Sequence, residues 1–222
     1  MERAKDRVLD ASLLHAPFDG WSEATLRAAI IDSEVTPALA RALFPRGGVD
    51  LAIAYHLRGD ASMRTAYNAT DLAALRIRER ITLAVRLRLQ GADKELVRRG
   101  SALFSLPNHV IEGAGLIWAT ADAIWDVLGD TSRDVNWYTK RATLSAVYGA
   151  VVLFWLGDTS DGDRDTWAFL DRRIDNVMQI EKAKAGLREN RFAMGLLAGP
   201  MKLMARIQAP QGLGDLPGSN RR

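Results

Sequence analysis

The sequence predicts an all-α protein. Apolar residues recur every three or four positions along almost the whole chain, whereas alternation of apolar and polar residues with a period of two is nearly absent. Stretches rich in Gly, Pro or Asp interrupt this helical spacing and mark the ends of helices. Because 48% of the 222 residues are hydrophobic, the chain has enough apolar side chains to bury a sizeable core.

Residues 1–60 are predicted to form a small helix-turn-helix-like unit. A first helix ends near Pro17, Ser22 caps the second, and Pro37 occupies the first turn of the third. A short turn separates the second and third helices, and a Pro-Arg-Gly-Gly break precedes a fourth. After the first, the predicted helices cover Trp21–Ile31, Thr36–Phe44 and Val49–Leu57.

Residues 61–186 are predicted to form a larger helical bundle, because the helices lengthen after Gly59. Residues 187–222 are predicted to form an amphipathic helix followed by a Gly/Pro-rich tail. The predicted long helices cover Ser62–Leu89, Asp93–Ser105, Asn108–Leu128, Asn136–Leu156, Asp163–Ala185 and Asn190–Ile207.

Composition argues against catalysis. The absence of cysteine excludes thiolate nucleophiles and Cys-ligated metals, and the three histidines lie far apart with no metal-binding spacing. No Gly-rich phosphate cradle is present. We therefore expect no enzyme activity, no metal and no cofactor. The opening residues are mixed in charge, unlike a signal or transit peptide, and the longest uncharged run, Ala142–Gly157, is too short to span a bilayer.

The helix-turn-helix unit resembles the TetR-type DNA-binding domain, but its chemistry does not favour DNA. The second helix of the motif, Thr36–Phe44, offers one arginine among Ala and Leu, whereas phosphate and base contacts need several cationic or hydrogen-bonding side chains. Nucleic acid is therefore not expected as a partner. A ligand-responsive repressor of the TetR type remains the alternative.

The bundle carries an aromatic stripe. Trp118 and Trp125 are seven residues apart on one helix, and the second half of the next helix, from Ala142, is apolar on all sides. Such a helix suits a homodimer that covers its outer face, and a central core helix would have the same pattern.

The most specific signal is the string Asn-Trp-Tyr-Thr-Lys-Arg at 136–141. Together with Asp-Thr-Trp-Ala-Phe-Leu-Asp-Arg-Arg at 165–173 and Leu-Phe-Pro-Arg-Gly-Gly at 43–48, it resembles the ubiquinone (coenzyme Q) biosynthesis accessory family, the ninth of the Coq proteins. The resemblance extends over nearly the whole chain. It implies a TetR-like fold, a homodimer, a bound isoprenoid quinone or precursor lipid, and a non-catalytic role beside the di-iron hydroxylase of ubiquinone synthesis.

The resemblance also implies roles for particular residues. Trp137, Tyr138, Lys140 and Arg141 fall in the patch that contacts the hydroxylase, although Trp137 could instead enter the core beside a capping Asn136. Apolar character and helix placement give the candidates for a lipid-holding cavity, which are Phe104, Leu106, Leu116, Ile117, Trp118, Ile124, Val152 and Trp155.

The last predicted helix has the pattern of an interfacial membrane helix. A broad apolar arc faces a side that carries only cations, although a helix docked on the bundle would also be amphipathic. The predicted membrane-binding residues are Phe192, Leu196, Leu197, Lys202, Leu203, Met204, Arg206 and Ile207.

These observations predict a cytoplasmic protein of bacterial type that is peripheral on the inner membrane. The resemblance further implies that it holds a polyprenylated quinone precursor and presents it to the hydroxylase. A structural adaptor that binds only protein is a further alternative, and it predicts no lipid in the bundle.

Overall fold

The computed structural model describes the backbone of residues 1–189 and the side chains of residues 1–179. Within this part of the chain every regular element is helical, as predicted. The predicted helix Asn190–Ile207 lies outside the described residues. The α-helices are α1 (Glu2–Asp19), α2 (Glu23–Ser33), α3 (Pro37–Leu43), α4 (Gly48–Asn68), α5 (Ile77–Gln90), α6 (Lys94–Phe104), α7 (Val110–Val127), α8 (Val135–Gly157) and α9 (Arg164–Glu189).

The predicted helix-turn-helix unit is present. The Ser22 hydroxyl accepts a hydrogen bond from the backbone N–H of Thr25 and so caps α2. Glu34 closes α2 in the left-handed conformation, with φ of 52°, and Pro37 begins α3. The two helices of the motif are therefore separated by the short turn that the sequence indicated.

The predicted break at Gly59 is wrong. α4 runs without interruption through Gly59 to Asn68, and the Arg88 guanidinium packs where a side chain at Gly59 would be. A Cβ on Gly59 would lie 2.6 Å from that group, so this glycine serves a close approach between helices and does not end one.

The predicted continuous helix Ser62–Leu89 is also wrong, because the chain leaves the helix over residues 69–76. Arg80 donates hydrogen bonds to the backbone oxygens of Leu72 and Leu75, at 3.0 and 2.9 Å, and so satisfies carbonyls of this connection. Glu79 accepts from the backbone N–H of Arg76 and starts α5. The connection is rich in Ala and Leu, which are strong helix formers, so helix propensity alone predicts a continuous helix here.

Two apolar cores meet along α4. The N-terminal half of α4 shares one core with α1, α2 and α3, to which it contributes Leu51. Its C-terminal half shares the other core with α5, α7, α8 and α9, to which it contributes Met63 and Tyr67. α4 therefore contributes side chains to both cores. None of the helices within the described residues is long and apolar enough to cross a bilayer.

Candidate lipid cleft and aromatic cluster

A cleft of about 340 Å³ opens between the two cores, bounded by α4, α6, α7 and α8. Its walls are mostly apolar, and Gly113 lets α7 approach α6 so closely that a Cβ there would lie 2.7 Å from the Cβ of Phe104. The lining residues are Trp21, Ala52, Tyr55, His56, Arg88, Leu96, Val97, Gly100, Ser101, Phe104, Ser105, Val110, Gly113, Ala114, Leu116, Ile117, Tyr148, Gly149, Val152 and Leu153.

The structure brings four of the eight predicted lipid-binding residues together in this cleft, namely Phe104, Leu116, Ile117 and Val152. The other four lie elsewhere. Leu106 is half-exposed on the α6–α7 connection, and Ile124 is fully buried in the bundle core. Trp118 contacts Trp137, and Trp155 is buried with its Nε1 donating to Asp163 at 2.9 Å. Helical spacing gave all eight the same apolar signature, which does not distinguish a wall from a packed core.

The inner end of the cleft is polar. Arg88 Nε donates to Asp60 Oδ1 at 2.6 Å, and Thr120 Oγ1 lies 3.0 Å from the same oxygen. His56 Nε2 lies 2.8 Å from Thr120 Oγ1 and 3.2 Å from the backbone oxygen of Leu116. Burial lowers the pKa of His56 to about 4, so the imidazole is neutral at pH 7. These buried polar groups therefore form one connected network around a single ion pair.

The sequence did not single out this network as a site. His56, Asp60, Arg88 and Thr120 come from three helices, and no spacing within one segment links them. The sequence did contain one usable signal for the network, the i, i+4 pair of His56 and Asp60 on an otherwise apolar helix face. A charged residue on such a face is rarely buried without a partner, so a buried polar network could have been expected.

The mouth of the cleft has an apolar rim. Val110 and Leu153 line the opening and are themselves exposed, with Leu153 at 70%, and the neighbouring Ile111 is 86% exposed. Exposed apolar residues clustered at an opening are typical of a contact surface for an apolar phase or a partner.

A second cavity, of about 450 Å³, lies between α5, α7, α8 and α9, and none of the predicted lipid-binding residues lines it. Its wall includes Ile81, Leu144 and Val147, and its polar end includes Asn136 and Lys140. Nothing in the sequence indicated this cavity, because its lining residues have the same helical pattern as the adjacent core.

The predicted partner-binding residues lie at the start of α8. The half-buried Trp137 ring packs edge-on against Tyr138, with centroids 4.8 Å apart, and lies 6.1 Å from Trp118. The Arg141 guanidinium lies 4.1 Å from the Trp137 centroid, in the geometry of a cation–π contact. Trp137 therefore enters an aromatic cluster at the surface, and the helix is capped by Asp134, which accepts from the N–H of Asn136, rather than by Asn136.

Arg141 is not placed to contact a partner directly, because its side chain is only 2% exposed. It forms ion pairs with Asp122 and, at 3.0 Å, with the buried Asp130, and so supports Trp137 from beneath. Lys140 donates to Asp130 at 2.7 Å and remains partly exposed. Burial alone would raise the pKa of Asp130, but hydrogen bonds from Lys140, Ser132 and Arg141 outweigh it and lower the pKa to about 2.

The second helix of the helix-turn-helix motif presents few groups for DNA. Ala38, Leu39 and Ala42 are exposed on α3, and its one arginine, Arg41, pairs with Glu23 at 2.9 Å. The described residues contain no group of three or more acidic or His side chains placed to hold a metal ion. The predicted membrane-binding residues, from Phe192 to Ile207, lie outside the described part of the chain.

A family model matches one part of this architecture. Residues 110–181, which cover α7, α8 and most of α9, match the COQ9 family model. The chain is 28% identical over 193 residues to the probable ubiquinone biosynthesis protein coq9, mitochondrial, of Dictyostelium discoideum, covering 83% of this chain and 63% of that protein.

Two further relatives agree. The ubiquinone biosynthesis protein COQ9, mitochondrial, is 29% identical in Xenopus tropicalis and 27% identical in Homo sapiens, each over 81% of this chain and 59% of the relative. The chain thus spans about three fifths of the length of these relatives.

A solved structure confirms the predicted TetR-like fold. The TetR transcriptional regulator from Nitrosomonas europaea ATCC 19718 superposes with a TM-score of 0.63 at 20% sequence identity, over 77% of this chain and 95% of that chain. At this identity the likeness shows a shared fold and leaves function open.

Proposed function

We propose, on the premise that residues 110–181 form a COQ9 domain, that the protein is a non-catalytic accessory protein of ubiquinone biosynthesis. It binds a membrane and an isoprenoid quinone precursor, and it presents the precursor to the di-iron hydroxylase. The observation that carries this proposal is the apolar cleft with a buried polar end, because that shape suits a molecule with an apolar tail and one polar head.

The need for such a protein follows from solubility. A polyprenyl tail is too apolar to leave a bilayer unaided, and a protein wall that offers equal apolar contact lowers the free energy of moving the head group toward an enzyme. The cleft volume of about 340 Å³ is in the usual range for small-molecule sites, and it holds part of a long tail. The exposed apolar rim at Val110, Ile111 and Leu153 continues the apolar surface beyond the cleft.

We place the protein on the surface of an inner membrane, as a homodimer. The relatives are named as mitochondrial proteins, and the basic, amphipathic sequence from Phe192 to Ile207 suits an anionic lipid surface. For the dimer, Phe154 of α8 stacks on Phe169 of α9 with ring centroids 4.5 Å apart and remains exposed, which suits coverage by a second copy.

The proposal is tested first by mass spectrometry of a solvent extract from the full chain purified without detergent. We expect a stoichiometric isoprenoid quinone or precursor, compared with a helical control protein from the same cells. An extract no richer than the control, from a folded dimer, contradicts lipid binding and favours an adaptor that binds only protein. A specific operator complex in a gel shift would favour the repressor. The pairing of Arg41 with Glu23 and the apolar surface of α3 argue against DNA binding.

The two cavities are distinguished by matched substitutions on α8. Val152 lines the cleft and Val147 lines the second cavity, and both are buried. We expect Val152→Trp to reduce the lipid recovered in the extract about tenfold or more, since the indole fills the cleft, and Val147→Trp to leave it within about twofold. The opposite pattern would place the lipid in the second cavity.

The aromatic cluster is tested by capture of the hydroxylase. We expect Trp137→Ala to weaken capture about tenfold or more, because a half-buried tryptophan at the surface is the side chain that most often anchors an interface. Trp167→Ala removes another half-buried tryptophan, on α9, and should leave capture unchanged. Retained capture by Trp137→Ala at an unchanged dimer mass would show that Trp137 serves only packing.

The membrane role is tested by co-sedimentation with anionic liposomes. Leu203→Glu with Met204→Glu puts two negative charges into the predicted apolar arc. We expect the bound protein to fall at least tenfold, because burying a charged carboxylate in the apolar part of the lipid is unfavourable. Gln211→Glu with Ser219→Glu adds the same charge in the tail and should bind within about threefold of the parent. Equal sedimentation of both variants would contradict a membrane helix at 190–207.

A further inference from the structure

The neighbours of His56 indicate its tautomer, that is, which ring nitrogen carries the proton. Nε2 lies 3.2 Å from the backbone oxygen of Leu116, and a carbonyl oxygen only accepts hydrogen bonds, so Nε2 carries the ring proton. The hydroxyl of Thr120 has both carboxylate oxygens of Asp60 within 3.2 Å and donates its one proton to this carboxylate. Its lone pairs are then free to accept from Nε2 of His56 at 2.8 Å.

The other ring nitrogen is therefore an acceptor. Because burial keeps the imidazole neutral at pH 7, Nδ1 holds a lone pair, and no residue in the part of the chain that the structure describes donates a hydrogen bond to it. His56 lines the cleft, with 18% of its side chain exposed, and Nδ1 is not among the sealed, unpaired polar atoms of the interior. Nδ1 of His56 is thus an acceptor that the described residues leave unpaired, on a residue that lines the cleft.

The network also sets the charge of a suitable head group. Arg88 is the cation at this end of the cleft, and its charge is already paired with Asp60 at 2.6 Å. An anionic head group would meet that carboxylate as well as the guanidinium, and would lose its hydration without a free cation in return. A neutral head group loses much less on entry.

We propose that the cleft selects apolar molecules whose neutral head group carries a hydroxyl, and that this hydroxyl donates a hydrogen bond to Nδ1 of His56. This inference rests on the proposed lipid binding and names the ligand class of the same site. A prenylated phenol fits, whereas its methyl ether has the same apolar body and no proton to donate. With the ether bound, Nδ1 of His56 would have no hydrogen-bond donor inside the apolar cleft, and this disfavours binding of the ether.

The test compares a geranylated phenol with its methyl ether, each titrated calorimetrically into the full chain. We expect the phenol to bind about tenfold more tightly, which is the ratio for one hydrogen bond of ordinary strength. His56→Phe keeps an aromatic ring at this position and has no ring nitrogen to accept a hydrogen bond, so the preference should disappear. Thr120→Val disturbs the network without removing Nδ1 and should keep it.

The outcomes separate the two proposals. If the ether binds the parent protein as tightly as the phenol, or if His56→Phe keeps the preference, the assignment of His56 fails while lipid binding stands. If neither compound binds, the proposed lipid binding fails and this inference fails with it. A preference that is lost in His56→Phe and kept in Thr120→Val supports both.

Discussion

Arg141→Met should lower the free energy of unfolding by about 3–5 kcal/mol, because it removes one partner of a buried ion pair. The side chains of Arg141 and Asp130 are 2% and 3% exposed and lie 3.0 Å apart. Without Arg141, the charge of the Asp130 carboxylate would stay buried with one cation fewer to balance it. The substitution also removes the cation–π contact beneath Trp137. Urea denaturation of the variant and its parent gives this difference directly.

Lys140→Met is the matched control for Arg141→Met. Lys140 also pairs with Asp130, at 2.7 Å, but its side chain is 38% exposed, so solvent screens the pair and we expect a loss of at most about 1 kcal/mol. Equal losses for the two variants would contradict the structural role of Arg141. On the proposed function, capture of the hydroxylase should also fall in Arg141→Met, because Trp137 loses the guanidinium that packs against it.

The same cluster predicts a pH dependence of stability. The folded pKa of Asp130, about 2, lies below its ordinary value of 3.8. Its contribution to stability is therefore fully present above about pH 4 and is lost as the pH falls toward 2. Asp130→Asn should flatten the slope of unfolding free energy in this window, and an unchanged slope would show that other carboxylates cause it.

Gly48→Ala should lower the free energy of unfolding by about 3 kcal/mol, since the added methyl group has no room. A Cβ at Gly48 would lie 2.3 Å from the backbone carbon and oxygen of Trp21 and 2.4 Å from the backbone nitrogen of Ser22. Backbone cannot move aside as a flexible side chain does, so α4 would have to shift away from the start of α2. Urea denaturation measures the loss.

Gly115→Ala is the matched control for Gly48→Ala. Gly115 lies inside α7, and a Cβ at this position would have no neighbouring atom within 4 Å, so alanine there should raise stability by about 0.5–1 kcal/mol through helix propensity alone. A loss at Gly115 similar to that at Gly48 would show that the close contact with Trp21 is not the cause. The Pro-Arg-Gly-Gly break at 45–48 is thus explained by packing as well as by turn formation.

The sequence alone predicted the helical class, the turn between α2 and α3, and the ends of most helices. These features depend on hydrogen bonds and caps within a few residues, such as Ser22 with Thr25, and the residues that form them are adjacent in the chain. The errors at Gly59 and at residues 69–76 have a different origin. Arg88 and Arg80 of α5 contact Gly59 and the backbone of the connection, and the residue pattern within α4 does not record these contacts.

Only the tertiary structure decided which apolar residues line a cavity and which form the core. Leu116 and Ile124 are eight residues apart on one stripe of α7, yet Leu116 lines the cleft and Ile124 lies in the packed core. The distinction depends on how closely neighbouring helices approach, as at Gly113 against Phe104, and local periodicity does not record that distance. The polar end of the cleft likewise exists only because α4, α5 and α7 bring His56, Arg88 and Thr120 together.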